Sequence, residues 1–234
     1  MKKLFVIILV AVALFSFTQR AVADTISTLS TWGPYQAGSG GEFTLLPSGP
    51  TLSGLVSLYN SNPNSQTRDI VQSGTFQSFC LEKQEYINLN KTYNAILNDR
   101  AINGGVGPAG DPISIGTAYL YYQFATGDLS GYNYVASRTT TAAQLQQAIW
   151  YLEGETGAVS NQFITAVIAE FGTFADAQKD NNGTYAVAVL NLYLPNGGFV
   201  QDQLILKPVP EPLTMLLLGL GLIGVAGIRR KLKS

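Results

Sequence analysis

The 234-residue chain contains no histidine and a single cysteine, Cys80. The first absence removes Ser-His and Cys-His nucleophile pairs, imidazole zinc sites and the commonest general base. The second rules out a disulfide within the chain, although small exported domains often rely on several. A lone thiol in an oxidising compartment invites unwanted pairing, so Cys80 needs an explanation. Basic residues are scarce between positions 24 and 208. Seven Lys or Arg (68, 83, 91, 100, 138, 179, 207) stand against 14 Asp or Glu, and 7 − 14 gives a net charge of −7. Such a surface repels nucleic acid and anionic lipid, and no basic patch interrupts it, so no nucleic acid partner is expected. The Gly-rich stretches at 38–41 and 104–110 lack the Gly-Lys-Ser/Thr that cradles phosphate. No repeat period is evident.

The two ends read as addresses rather than fold. Met1-Lys2-Lys3 is a positive start, and Leu4 to Phe17 is apolar except for Ser16. Ala21-Val22-Ala23 then places small residues either side of a spacer, a signal-peptidase site between Ala23 and Asp24. The apolar core is short and the site is good, which favours cleavage over a retained anchor. At the far end, Val209-Pro210-Glu211-Pro212 precedes an apolar run from Leu213 to Ile228 and a basic tail of Arg229, Arg230, Lys231 and Lys233. Sixteen residues at ~1.5 Å rise span about 24 Å, a little under the roughly 30 Å of bilayer hydrocarbon. Basic side chains reaching to headgroups close that gap, and they belong on the cytoplasmic side. Pro210 and Pro212 resist helix, so the span starts sharply after them. The expected organisation is a signal peptide (1–23), one extracellular domain (24–208) and a sorting segment (209–234) with a single short transmembrane helix.

Pro-Glu-Pro, a short apolar helix and a basic tail, in that order, resemble the PEP-CTERM sorting signal of Gram-negative bacteria. The resemblance covers residues 209–234. It implies that an exosortase cuts near Pro210 to Pro212, after signal peptidase has acted at the other end, and that the protein reaches the cell surface or extracellular matrix. The family usually accompanies exopolysaccharide production, so exopolysaccharide is a candidate contact.

The central 185 residues suit one domain with a proper core. Phe43 to Leu46, Leu55 to Tyr59, Phe76 to Leu81, Thr92 to Leu97, Thr184 to Tyr193 and Phe199 to Leu206 read as strands between turn signals. Ser114 caps a helix to about Ala125, with Ile115, Ala118, Tyr119 and Tyr122 on one face. Thr140 or Thr141 caps a second to Leu152, with Leu145, Ala148, Ile149 and Leu152 inward. Ser160 opens a third, bearing Phe163, Ile164, Val167, Ile168 and Phe171 and stopped by Gly172. The expected class is α+β, mainly β: a β-sandwich or barrel with an inserted helical subdomain.

Two segments bear on Cys80: Phe79-Cys80-Leu81-Glu82 and Leu145-Gln146-Gln147-Ala148-Ile149-Trp150. With the intervening Gly116-Thr117-Ala118-Tyr119-Leu120-Tyr121 they resemble the thioester domain of bacterial surface adhesins over roughly residues 40–206. That family carries a cysteine on an early strand and Thr-Gln-x-Ala-Ile-Trp on a later helix. The resemblance implies an internal thioester between Cys80 and Gln146, and an amine-bearing surface protein or polyamine as covalent target. Leu145 stands where the family has Thr, and Gln144 and Gln147 are neighbours from which only the Ala-Ile-Trp alignment singles out Gln146. A thiol held against a carboxamide can expel ammonia and leave an acylating bond, with proximity supplying much of the barrier reduction. No metal or cofactor is required. Ile149 and Trp150, three and four residues on, flank Gln146 on one helical surface and could shield the bond from water. A blander reading makes Cys80 a buried, inert thiol and Trp150 a core residue.

Other candidates rank lower. Glu153 with Glu155, or Glu82 with Glu85, could be an acid/base pair of a secreted hydrolase, but such spacing usually marks a solvated edge. The tyrosines from 119 to 134 could stack sugars, though helical spacing favours core packing. Asp176 to Asn182 lacks the full calcium-loop spacing, and Asn182-Gly183-Thr184 is more simply a turn than a glycosylation site. The leading expectation is a non-enzymatic, covalently attaching surface protein. A non-reactive structural component of a biofilm matrix is the alternative.

Overall fold

A computed structural model describes residues 23–29, 36–37, 40–59, 67, 72–102, 110–136 and 138–208. The expected signal peptide up to residue 22 and the expected transmembrane helix within 209–234 lie outside them. Among the described residues no helix is long and apolar enough to cross a membrane.

Among the described residues, ten strands and four α-helices follow in order. They are β1 Thr25–Thr28, β2 Gln36–Ala37, β3 Gly40–Gly41, β4 Phe43–Ser48, β5 Phe76–Ser78, β6 Thr92–Asn98, β7 Arg100–Ala101, β8 Asp111–Pro112, α1 Ile115–Thr126, α2 Arg138–Leu152, α3 Gln162–Phe171, α4 Phe174–Ala177, β9 Val187–Tyr193 and β10 Phe199–Leu206. Six strands form an antiparallel sheet in the order β10-β9-β6-β1-β4-β5. The sheet curls until its ends meet. Leu204 N–H donates to Phe79 C=O at 3.1 Å, Leu81 N–H donates to Asp202 C=O at 3.2 Å, and Cys80 bridges Gln203. Of the two expected β architectures, the barrel describes this closed sheet better than the sandwich. Closure leaves no free edge at the site, which is how all-β domains avoid edge-to-edge association.

The residue patterns explain the layers. β6 alternates, with Tyr93 and Ala95 inward and Ile96 55% exposed, so one face is wet. β9 is buried from Val187 to Leu192, as expected of a strand covered on both faces, and α1 packs against it. The helical segment sits between β8 and β9, as an insertion into the β architecture.

Several boundaries differ from expectation. Leu55 to Tyr59 is not a strand: Ser53–Leu58 is a 3-10 helix, and Leu52, Leu55 and Tyr59 face inward at helical rather than alternating spacing. The place beside β4 is taken by β1, a short Thr/Ser strand that carries little hydrophobic signal. α1 does start at a Ser114 cap, whose hydroxyl accepts from Thr117 N–H, but its most buried face is Thr117, Leu120, Tyr121 and Phe124. Tyr119 packs outward against Phe171 and Tyr185, because α3 covers that side. α2 begins at Arg138, before either expected threonine cap, and α3 is capped by Asn161, whose carboxamide accepts from Phe163 and Ile164 N–H.

Candidate functional site

The site is built where three elements converge. Cys80 follows β5 and lies on the strand extension that closes the sheet, with no exposed surface. Gln146 lies midway along α2 and is 1% exposed. The β2–β3 hairpin crosses above α2 and brings Gly40 and Gly41 against it.

Cys80 Sγ donates to Gln146 Oε1 at 3.1 Å. The same oxygen accepts from two backbone amides, Gly41 N–H and Cys80 N–H, each at 3.2 Å. Gln146 Nε2 donates to Cys80 C=O at 2.8 Å, which fixes the orientation of the carboxamide. Two N–H groups aimed at one carbonyl oxygen are the arrangement that stabilises charge developing there during attack on its carbon. Burial pushes the Cys80 thiol far above its ordinary pKa, and the charge of Glu82 adds to the rise. The backbone amides and the Trp150 indole offset only part of it. The thiol is therefore protonated, and any attack by sulfur must pass that proton on within the site.

Trp150 walls the site. A β-carbon built on Gly40 would lie 2.5 Å from the Trp150 ring and 2.7 Å from Gln146 Cγ, so backbone, indole and carboxamide stem are in direct contact. Ile149 is fully buried and Trp150 is 7% exposed. Leu145 is also fully buried and packs in the core. Gln147 is exposed, and Gln144 bonds Asn161 and Gln162. Neither neighbouring glutamine reaches Cys80.

A buried ion pair ties the elements together. Arg138 Nε and Nη2 donate to the two oxygens of Glu42 at 2.7 and 2.6 Å, and Nη1 donates to Tyr134 C=O at 2.6 Å. Both side chains are essentially inaccessible. Glu42 directly follows Gly41, and Arg138 opens the helix that carries Gln146. The pair thus links the segment that supplies the Gly41 N–H to the helix that carries Gln146. Sequence reasoning passed over Gly40, Gly41, Glu42 and Arg138. The only signals were a Gly-Gly-Glu run next to a strand and one arginine in a segment poor in cations.

Below Cys80, Glu82 is 1% exposed, not part of a solvated edge. Its Oε2 accepts from Asp202 N–H at 3.0 Å, and Asp202 Oδ2 accepts from Asn191 Nδ2 and Ile102 N–H. Desolvation, then the neighbouring acid, holds Glu82 far above the usual carboxylate range, and burial raises its neighbour Asp202 as well. Glu153, which accepts from the Ser114 hydroxyl at 2.7 Å, is likewise raised by burial to about 7. The folded form keeps protons that the unfolded chain releases above about pH 4.5. The stability they contribute is complete below that pH and is lost as pH rises, through about 7 for Glu153 and through the raised values of the Glu82–Asp202 pair. The thermal midpoint is therefore expected to fall between pH 5 and 8, and Glu82→Gln should flatten the decline. A midpoint that rises over this interval would contradict the assignment.

The remaining candidates resolve structurally. Tyr121, Tyr132 and Tyr134 are buried in an aromatic cluster around Phe124. Asp176 pairs with Lys179 and Thr173, and among the described residues no group of three or more Cys, Asp or Glu side chains could hold a metal.

Residues 208–231 match the PEP-CTERM protein-sorting motif. The chain carries an exosortase sorting signal. Such a signal marks export to the cell envelope or surface of a Gram-negative bacterium, with exosortase as the sorting partner. The match contains Pro210, Glu211 and Pro212 and begins two residues after β10 ends. No curated protein and no solved structure is similar to the chain.

Proposed function

We propose that Cys80 and Gln146 form an internal thioester and that the exported protein uses it to attach covalently to amine-bearing partners, in the manner of an adhesin. The observation that carries this reading is the contact of Cys80 Sγ with Gln146 Oε1, an oxygen also held by two backbone N–H groups. In the first step sulfur attacks the carboxamide carbon, the thiol proton passes to the departing nitrogen, and ammonia leaves. In the second, an amine nitrogen attacks the same carbon, the C–S bond breaks, and the thiol of Cys80 is restored beside a new amide on Gln146. The same two N–H groups serve both steps, and neither step needs histidine, metal or cofactor.

Signal-peptide removal between Ala23 and Asp24 belongs to the same proposal. Asp24 is already part of the fold: its carboxylate accepts from Thr51 and Leu52 N–H, and its carbonyl from Ala95 N–H. At the other end Lys207 N–H still bonds Ala186 C=O, so hydrogen-bonded structure reaches close to each proposed processing site. Cleavage near Pro210 to Pro212 would then release the domain from its transient anchor, after which attachment depends on Cys80.

Intact mass of the purified exported protein tests the reading. A deficit of one ammonia, a blocked thiol and a gain of one methylamine on treatment are expected, all abolished by Cys80→Ala and retained in Gln147→Ala. Full mass with a thiol that labels freely on unfolding would sink it. That outcome would favour the second reading, a non-reactive matrix component, for which the complete burial of Cys80 speaks. A secreted hydrolase is the weakest alternative. Of its candidate pairs, Glu82 is buried and accepts from Asp202 N–H, Glu153 accepts from the Ser114 hydroxyl, and Glu155 accepts from Lys83 N–H.

A further inference from the structure

Lys83 is exposed, and its ammonium lies beside an aromatic face. Nζ lies over the Trp150 ring, 5.9 Å from its centroid. The ring belongs to the residue that packs beside Gln146 across Gly40. Glu155 is tied to the backbone of the same two residues: its Oε2 accepts from Lys83 N–H at 3.1 Å, and its own N–H donates to Trp150 C=O at 2.8 Å. An aromatic face, a half-buried carboxylate and a net-negative domain together attract a cation and offer little to a neutral group.

We propose that the Trp150 face and the Glu155 carboxylate form a subsite for a primary ammonium beside Gln146, filled at rest by the chain's own Lys83. The acyl acceptor is then a lysine side chain or a polyamine rather than a hydroxyl or a neutral amine. This rests on the thioester reading and adds to it the groups that seat the incoming amine and the side chain that competes with it. The incoming ammonium displaces Lys83 from the ring and gives one proton to water. Its nitrogen bonds to the Gln146 carbonyl carbon, the C–S bond breaks, and Cys80 leaves as thiolate and takes up a proton. The balance is one ammonium and one thioester in, and one amide, one thiol and one proton out. Lys83 acts as a built-in competitor, holding the subsite until a cation of similar shape arrives.

The test compares adduct formation by intact mass in the exported protein, with cadaverine as a cationic lysine mimic and hydroxylamine as a nucleophile uncharged at neutral pH. The ammonia deficit and blocked thiol are measured first in each variant. Lys83→Ala empties the subsite, and cadaverine uptake at subsaturating concentration should rise roughly two- to fivefold, the scale of an exposed cation–π contact, while hydroxylamine uptake stays constant. Glu155→Gln keeps an acceptor for Lys83 N–H and should slow cadaverine alone. Equal acceleration of both probes by Lys83→Ala would make Lys83 a plain cover and overturn the subsite. A mass deficit with a free thiol and a Lys83–Gln146 cross-link would overturn it as well, since Lys83 would then be an acceptor. If the wild type shows no deficit at all, the thioester reading fails first and the subsite falls with it.

Discussion

Arg138→Met is expected to lower the thermal midpoint by roughly 6–20 °C. The substitution strands the Glu42 carboxylate where no side-chain surface is exposed, and an uncompensated buried charge costs about 3–5 kcal/mol. In a domain of this size each kcal/mol shifts the midpoint by about 2–4 °C. Differential scanning calorimetry of the variant checks the figure, and a midpoint within about 2 °C of wild type would refute it. The double replacement Glu42→Leu with Arg138→Met removes both charges and should recover most of the loss, because apolar pairs of similar volume often substitute well for buried ion pairs. Acylation separates anchoring from mere stability. If the pair sets the height of α2 against Gly41, the rescued double variant should still lose ammonia more slowly than wild type.

On the thioester reading, Gly40→Ala should leave the fold largely in place and suppress both ammonia loss and methylamine uptake. Its added methyl would sit 2.5–2.8 Å from the Trp150 ring and Gln146 Cγ, closer than side-chain carbons tolerate, so indole and carboxamide must move. Displacement of about 1 Å in a reacting pair can cost on the order of a hundredfold in rate. Gly54→Ala is the matched control, since nothing lies within 4 Å of a β-carbon there. Circular dichroism with a time course of intact mass distinguishes the outcomes. Equal rates in the two variants would show that Gly40 has no part in aligning the site.

Strong hydrophobic periodicity was readable from the residues alone. The faces of α2 and the strands β4, β6, β9 and β10 all emerged from it, each supported by turn or cap residues with a mechanism. β1 did not, because Thr25-Ile26-Ser27-Thr28 has one apolar residue and becomes a strand through two partners distant in sequence. The inward face of α1 was off by part of a turn, since a helix covered on two sides has no single apolar stripe. Cys80 and Gln146 were legible from short motifs, and the structure brings them into contact. The supporting groups were not, for a physical reason. Backbone N–H donors leave no trace in a sequence, and a partner 96 positions away, as Glu42 is from Arg138, is set by topology rather than spacing. Glu82 was misjudged for the same reason: β10 buries it.

The separation of Cys80 and Gln146 along the chain, 66 positions, has a thermodynamic side. On the thioester reading, the bond closes a long covalent loop that restricts the unfolded ensemble, an effect on the order of 4 kcal/mol for a loop of that length. Aminolysis reopens the loop. The armed domain would then be the more heat-resistant form, and each molecule would hand back that resistance on capturing its partner, so that melting behaviour alone would tell spent copies from fresh ones.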